Sequence, residues 1–158
     1  MSEQGDSRRA FLAGGAGVAA GAVITPEASA QGAMAINLPE VVEEIAAAFA
    51  GYDRALGAND VAALNGYFYD SPHTVRYGNA ENLYGFAEIA AYRASVSSAT
   101  PPQRERTVIT TYGRDFATVA TLSRRPGGKK IGRTMQTWVR FPQGWRIVAA
   151  HVSTIDTP

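Results

Sequence analysis

The chain contains no cysteine. Disulfide bonds, thiolate nucleophiles and cysteine-ligated metal sites are excluded with it. Histidine is nearly as scarce. His73 and His151 are the two present, too few for a histidine-rich metal centre, so no metal is expected. An excess of charge of one sign is also missing: 15 Lys and Arg stand against 14 Asp and Glu, a net charge of +1. No overall field therefore draws the chain to nucleic acid or to a membrane. There is no G-x-S-x-G, no P-loop, no zinc spacing and no pair of carboxylates at a catalytic spacing. No cofactor is expected. What remains is an ordinary globular composition, 46% hydrophobic and 18% charged over 158 residues, enough for one domain but not comfortably two.

The first thirty residues read as an address rather than as fold. Ser7-Arg8-Arg9-Ala10-Phe11-Leu12 resembles a twin-arginine export signal. The uncharged Gly/Ala-rich stretch from Phe11 to Ile24 follows; it is too short for a membrane-spanning helix, which needs ~20 residues. Ala28-Ser29-Ala30 then has the form of a cleavage site, which predicts a mature start at Gln31. The alternative is a chance Arg-Arg pair, but three features in the right order favour export of a folded protein to the periplasm. The expected organisation is a signal peptide over 1–30, a flexible mature N-terminus over 31–38 and one domain over 39–156.

Within the mature chain, Val41, Ile45, Phe49, Tyr52 and Leu56 fall on one stripe of a helix predicted over 39–57. Pro39 and Glu40 suit its first turn, and Gly57 its stop. Asn59 or Asp60 caps a short second helix through Phe68. His73 to Tyr77 reads as a short strand and Gly85 opens a third helix, with Ile89 and Tyr92 on one side. From Arg104 the period changes to two. Strands are predicted over 104–112, 116–124, 131–141 and 145–155, joined by turns at Gly113-Arg114-Asp115, Pro126-Gly127-Gly128 and Pro142-Gln143-Gly144. Helices followed by a meander predict an α+β domain in which a curved antiparallel sheet wraps a long helix as a cone with an open mouth.

That order matches the nuclear-transport-factor-2-like, or cystatin-like, fold. Two segments narrow the resemblance. One is Tyr52-Asp53-Arg54-Ala55-Leu56 with Asn59-Asp60, Thr74-Val75-Arg76-Tyr77-Gly78 and Glu81-Asn82-Leu83-Tyr84-Gly85. The other is Gly132-Arg133, Gln136-Thr137-Trp138-Val139-Arg140 and Gly144-Trp145-Arg146-Ile147-Val148-Ala149-Ala150-His151-Val152-Ser153. Together they resemble the AtzH-like group, which includes the HpxZ proteins of oxalurate and purine catabolism. The resemblance covers residues 40 to 155. It implies a small dimeric protein associated with amidases of nitrogen-compound breakdown, acting by decarboxylating hydrolysis of N-carboxylated ureas. It also implies a catalytic Tyr on the first helix and a catalytic Arg on the first strand, at Tyr52 and Arg76. The export signal and Thr134-Met135, where a more polar pair is usual, depart from the group.

Each candidate has a bland reading beside the functional one. Tyr52 lies on the apolar stripe, either as a core tyrosine or as a proton donor aimed into the cone. Arg76 is either an exposed strand residue or a planar fork turned inward to clamp a carboxylate. His151 shares a strand face with Trp145, Ile147, Ala149 and Ser153 if alternation is unbroken. Gln136 and Trp138 share one face with Arg140, and the alternation does not say which face is inside. Asn82 and Tyr84, read as loop residues, are placed at the mouth as substrate contacts along with Gln136, Trp138 and His151. Lys129-Lys130 reads as a solvated turn, and Asp53 and Asp60 as surface and cap residues. The expected ligand is a small anion. The competing functions are an enzyme acting on an N-carboxylated or ureido acid and a binding module or amidase subunit without turnover. Isomerisation is weaker, since no buried carboxylate base stands out. Apolar residues on both alternations of the last two strands predict a two-fold dimer built on the sheet.

Overall fold

A computed structural model describes residues 34–96 and 103–157; the signal-like segment and its cleavage site lie outside the described residues. Helix α1 runs Pro39–Ala58. Its buried residues Val41, Ile45, Phe49, Tyr52 and Ala55 repeat every three or four positions, which puts them on one face. Proline at the start costs no hydrogen bond there. The stop is Asn59, at φ 51°, rather than Gly57; asparagine tolerates the left-handed conformation that ends a helix. Asp60 caps α2 (Val61–Tyr67), its carboxylate accepting the Ala63 N–H at 3.0 Å. Gly51 lets α2 approach α1, since a Cβ there would lie 2.1 Å from the Tyr67 hydroxyl.

Strand β1 (Val75–Tyr77) is shorter than expected. Asn82–Tyr84, read from sequence as loop, is strand β2, antiparallel to β1. The three residues are too few to show a period. Helix α3 is Phe86–Ser95, after Gly85 at φ 83°. The meander β3 (Gln103–Tyr112), β4 (Phe116–Arg124), β5 (Lys130–Phe141) and β6 (Gly144–Asp156) follows. The sheet order is β2-β1-β6-β5-β4-β3, with β1 parallel to β6 and the other pairs antiparallel. The sheet is thus mixed rather than purely antiparallel. It is curved and unclosed, and the helices pack on one face, an α+β architecture of the cystatin-like kind.

Residues Ala35 and Asn37 hydrogen-bond to the end of β3. Asn37 donates its N–H to Thr111 O at 3.1 Å, its side-chain oxygen accepts the Thr111 N–H, and Ala35 O accepts the Gly113 N–H at 2.7 Å. These bonds occupy the edge of β3 that no other strand covers among the described residues.

The inner face of the sheet is set by Ala117, Val119, Trp138, Trp145 and Ile147, all buried against α1 and α2. A register slip opposite Thr137/Trp138 leaves Val148 as an extra residue in β6. Such a bulge reverses the alternation beyond it. Trp145 and Ile147 therefore point inward before it, and Ala150 after it, while His151 is exposed. The expectation that His151 shares a face with Trp145 and Ile147 is corrected by this one inserted residue.

Candidate anion-binding cavity

A cavity of about 400 Å³ opens between α1, β1, α3 and the far ends of β4, β5 and β6, a size suited to a small molecule. Tyr52 and Leu56 reach it from α1, Arg76 from β1, and Tyr92 and Arg93 from α3. Tyr52 and Arg76 thus line the same space, though each has its own partner. The Tyr52 hydroxyl accepts a hydrogen bond from Arg93 Nη2 at 3.3 Å, and its ring packs edge-on against Tyr67 and Trp138. Arg76 is 6% exposed, donates to the Glu81 carboxylate, and lies with its guanidinium 4.8 Å above the Tyr92 ring.

The charges around this space are one-sided. Among the described residues, Arg76, Arg93, Arg104, Arg125, Lys129 and Lys130 line it, against the single carboxylate of Glu81. Low-dielectric walls lined by one sign of charge concentrate counter-ions. A near-neutral chain thereby holds a cationic pocket. Arg104 is held from outside the lining by Asp53, which its Nη2 meets at 2.6 Å. Asp53, read from sequence as a surface residue, is a half-buried anchor.

Burial alone would raise the Glu81 carboxyl. The hydrogen bonds from Arg76 and the Ala80 N–H, with the Arg76 charge, outweigh it and hold the group below the ordinary 4.5. A depressed carboxyl stabilises the fold fully above its unfolded value and loses that contribution as pH falls through the folded one. Glu81→Gln should therefore be less stable than the wild type at neutral pH. The gap should close as pH falls below about 4.5, because protonated Glu81 is then equivalent to the amide. Thermal unfolding of both proteins across pH 3 to 7, roughly the carboxylate titration range, measures this; a gap independent of pH contradicts it.

The other sequence candidates are not brought to this space. Gln136 and Trp138 face inward but are sealed, at 1% and 0% exposure, and Trp138 Nε1 donates to Gln136 Oε1 at 3.2 Å. They pack beneath the cavity through the Trp138–Tyr52 contact. Asn82 and Tyr84 are exposed on the edge strand β2. Tyr84 packs on Tyr77, and the hydrogen bond between the two hydroxyls raises it above the ordinary tyrosine value, so it stays neutral. His151 packs edge-on to Tyr77 on the outer face. The sequence reading missed Arg93, Arg104 and Glu81; Lys129-Lys130, read as a solvated turn, are exposed and reach the rim of the cavity. A signal for Arg93 was present: it lies four residues beyond Ile89, so a cation sits on the buried stripe of α3.

The AtzH-like family model matches residues 34–158. The chain belongs to the AtzH-like family. Among solved structures, it is 50% identical to a protein of unknown function from the DUF3225 family of Pectobacterium atrosepticum, covering 78% of this chain and 99% of that one, with a TM-score of 0.76. It is 46% identical to a cystatin-like fold protein from Burkholderia xenovorans, covering 79% and 99%, with the same TM-score. An NTF2-like protein of unknown function from Pseudomonas putida shares 17% identity over 76% of this chain and 88% of its own, at a TM-score of 0.61, a likeness of fold alone. No curated protein matches the chain. AtzH-like membership supports a fold that binds or transforms a small molecule.

Proposed function

We propose that this AtzH-like protein acts on a small N-carboxylated urea or ureido acid by decarboxylating hydrolysis. The observation that carries the reading is the cavity that Tyr52 and Arg76 both line, with six cations and one carboxylate among its described lining residues. The carboxylate of the substrate lies among these cations, with the planar Arg76 guanidinium as clamp. As the bond between nitrogen and the carboxylate carbon breaks, its electron pair passes to nitrogen. The Tyr52 hydroxyl supplies the proton and carbon dioxide leaves; water then reprotonates the phenolate, and the hydroxide formed combines with the carbon dioxide as bicarbonate. A low-dielectric cavity strengthens each of these interactions. Isomerisation by a carboxylate base fits less well, because Glu81 is held ionised by Arg76 and is a weak proton acceptor.

One observation favours a second reading, a binding module without turnover. Arg76 is already engaged by Glu81, so a ligand would have to share or displace that partner. Tyr52→Phe separates the two. The ring and its packing on Trp138 survive, so the fold and the binding of hydantoate, a stable ureido acid, should persist. Release of carbon dioxide from an N-carboxyurea should fall by roughly the 10²–10⁴-fold typical of a lost general acid. Undiminished turnover removes Tyr52 from the chemistry, and a wild type that never turns over supports the binding module.

Two settings accompany this reading. The motif around Arg8 and Arg9, followed by Ala28-Ser29-Ala30, supports twin-arginine export and a periplasmic protein. The outer sheet face exposes Val108, Leu122 and Met135, which supports a homodimer built on that face; an amidase partner is proposed from the family resemblance alone.

A further inference from the structure

Arg93 is the buried cation of this cavity that has no anion among the described residues. It is 8% exposed, yet among the described residues no carboxylate pairs with it, whereas Arg76 has Glu81 and Arg104 has Asp53. Residues 97–102, which follow α3 and are not described, contain no Asp or Glu. Its contacts are neutral. Nη2 donates to the Tyr52 hydroxyl, the guanidinium lies 5.9 Å from the Phe68 ring centroid, and Nε is buried with no hydrogen-bond partner. A buried guanidinium with an unmade bond and no counter-ion costs stability. That cost is offset if an anion completes the site.

We propose that Arg93, rather than Arg76 alone, is the principal anion-holding residue of the cavity, and that it also orients Tyr52. The inference rests on the anionic ligand proposed above and assigns which residue receives its charge. Nε and Nη2 share one edge of the guanidinium plane, the edge that takes a carboxylate side-on. An oxygen bound at Nε is thereby brought beside the Tyr52 hydroxyl. Arginine can only donate, so the Tyr52 oxygen accepts from Nη2 and its own hydrogen is left to point at the ligand. Arg76, neutralised by Glu81, then acts as the second contact.

The test compares Arg93→Met, Arg93→Lys and wild type. Each is titrated calorimetrically with hydantoate and with inorganic phosphate, and each is melted without ligand. Methionine fills the same space without the charge, so Arg93→Met should melt at or above the wild-type temperature and bind the anion roughly tenfold to a hundredfold more weakly. Arg93→Lys keeps a charge but loses the planar edge; it should fold and still bind weakly. A merely structural arginine gives the opposite result: Arg93→Met melts lower while both variants bind as the wild type does, and that overturns the proposal. So does a wild type that binds neither anion. Wild-type binding of phosphate but not hydantoate contradicts the carboxylate reading instead, and the Arg93 assignment is then decided by the phosphate titrations of the variants.

Discussion

Arg76→Lys should fold normally and bind hydantoate roughly tenfold to a hundredfold more weakly, the cost of a lost charged hydrogen bond. The substitution keeps the positive charge. What it removes is geometry. The guanidinium is flat, so it can lie 4.8 Å above the Tyr92 ring while donating to Glu81 and still present further N–H groups to the cavity. An ammonium is a point charge on a flexible stem. It can satisfy Glu81, but it cannot hold that carboxylate and a ligand carboxylate in one fixed plane. Calorimetric titration gives the affinity, and an unchanged melting temperature shows that the loss is local. Wild-type affinity in this variant would remove Arg76 from the binding site.

Trp138→Ala should cost the domain about 3–5 kcal/mol by the loss of a large buried side chain. Trp138 is fully buried, contacts both Tyr52 and Tyr67 edge-on, and donates to Gln136. Alanine leaves a void beneath Tyr52 and an unpaired amide oxygen on Gln136, a further penalty of ~1–3 kcal/mol. Against a usual stability of roughly 5–15 kcal/mol, that threatens folding itself. Trp138→Phe keeps most of the packing and loses the N–H, so it should be the milder variant. Urea unfolding midpoints order the three proteins; a midpoint for Trp138→Ala equal to the wild type would contradict the assignment of Trp138 as the floor of the cavity.

The long elements were legible because their periods are long enough to read. The stripe from Val41 to Tyr52 defines α1, and the alternation of β3 to β6 defines the meander. Asn82–Tyr84 was not legible as a strand, because it exists through its pairing with β1. His151 was misplaced for a different reason. Strict alternation carries a face along a strand only while the register is unbroken, and the extra residue at Val148 breaks it. The cluster of cations was hidden by a net charge of +1. Arg76, Arg93, Arg104 and the Lys129-Lys130 turn come from separate elements, and only the curvature of the sheet sets them around one space. Tyr52 and Arg76 were chosen from the family resemblance, since neither residue announces its role by spacing.

The most direct test of the anion-binding account is a crystal structure of the protein grown with hydantoate. The account predicts the ligand inside the cone, its carboxylate within hydrogen-bond reach of Arg93 and Arg76 and its ureido nitrogen facing the Tyr52 hydroxyl. A ligand bound instead on the outer face near Met135 and His151, with the cone empty, would contradict it.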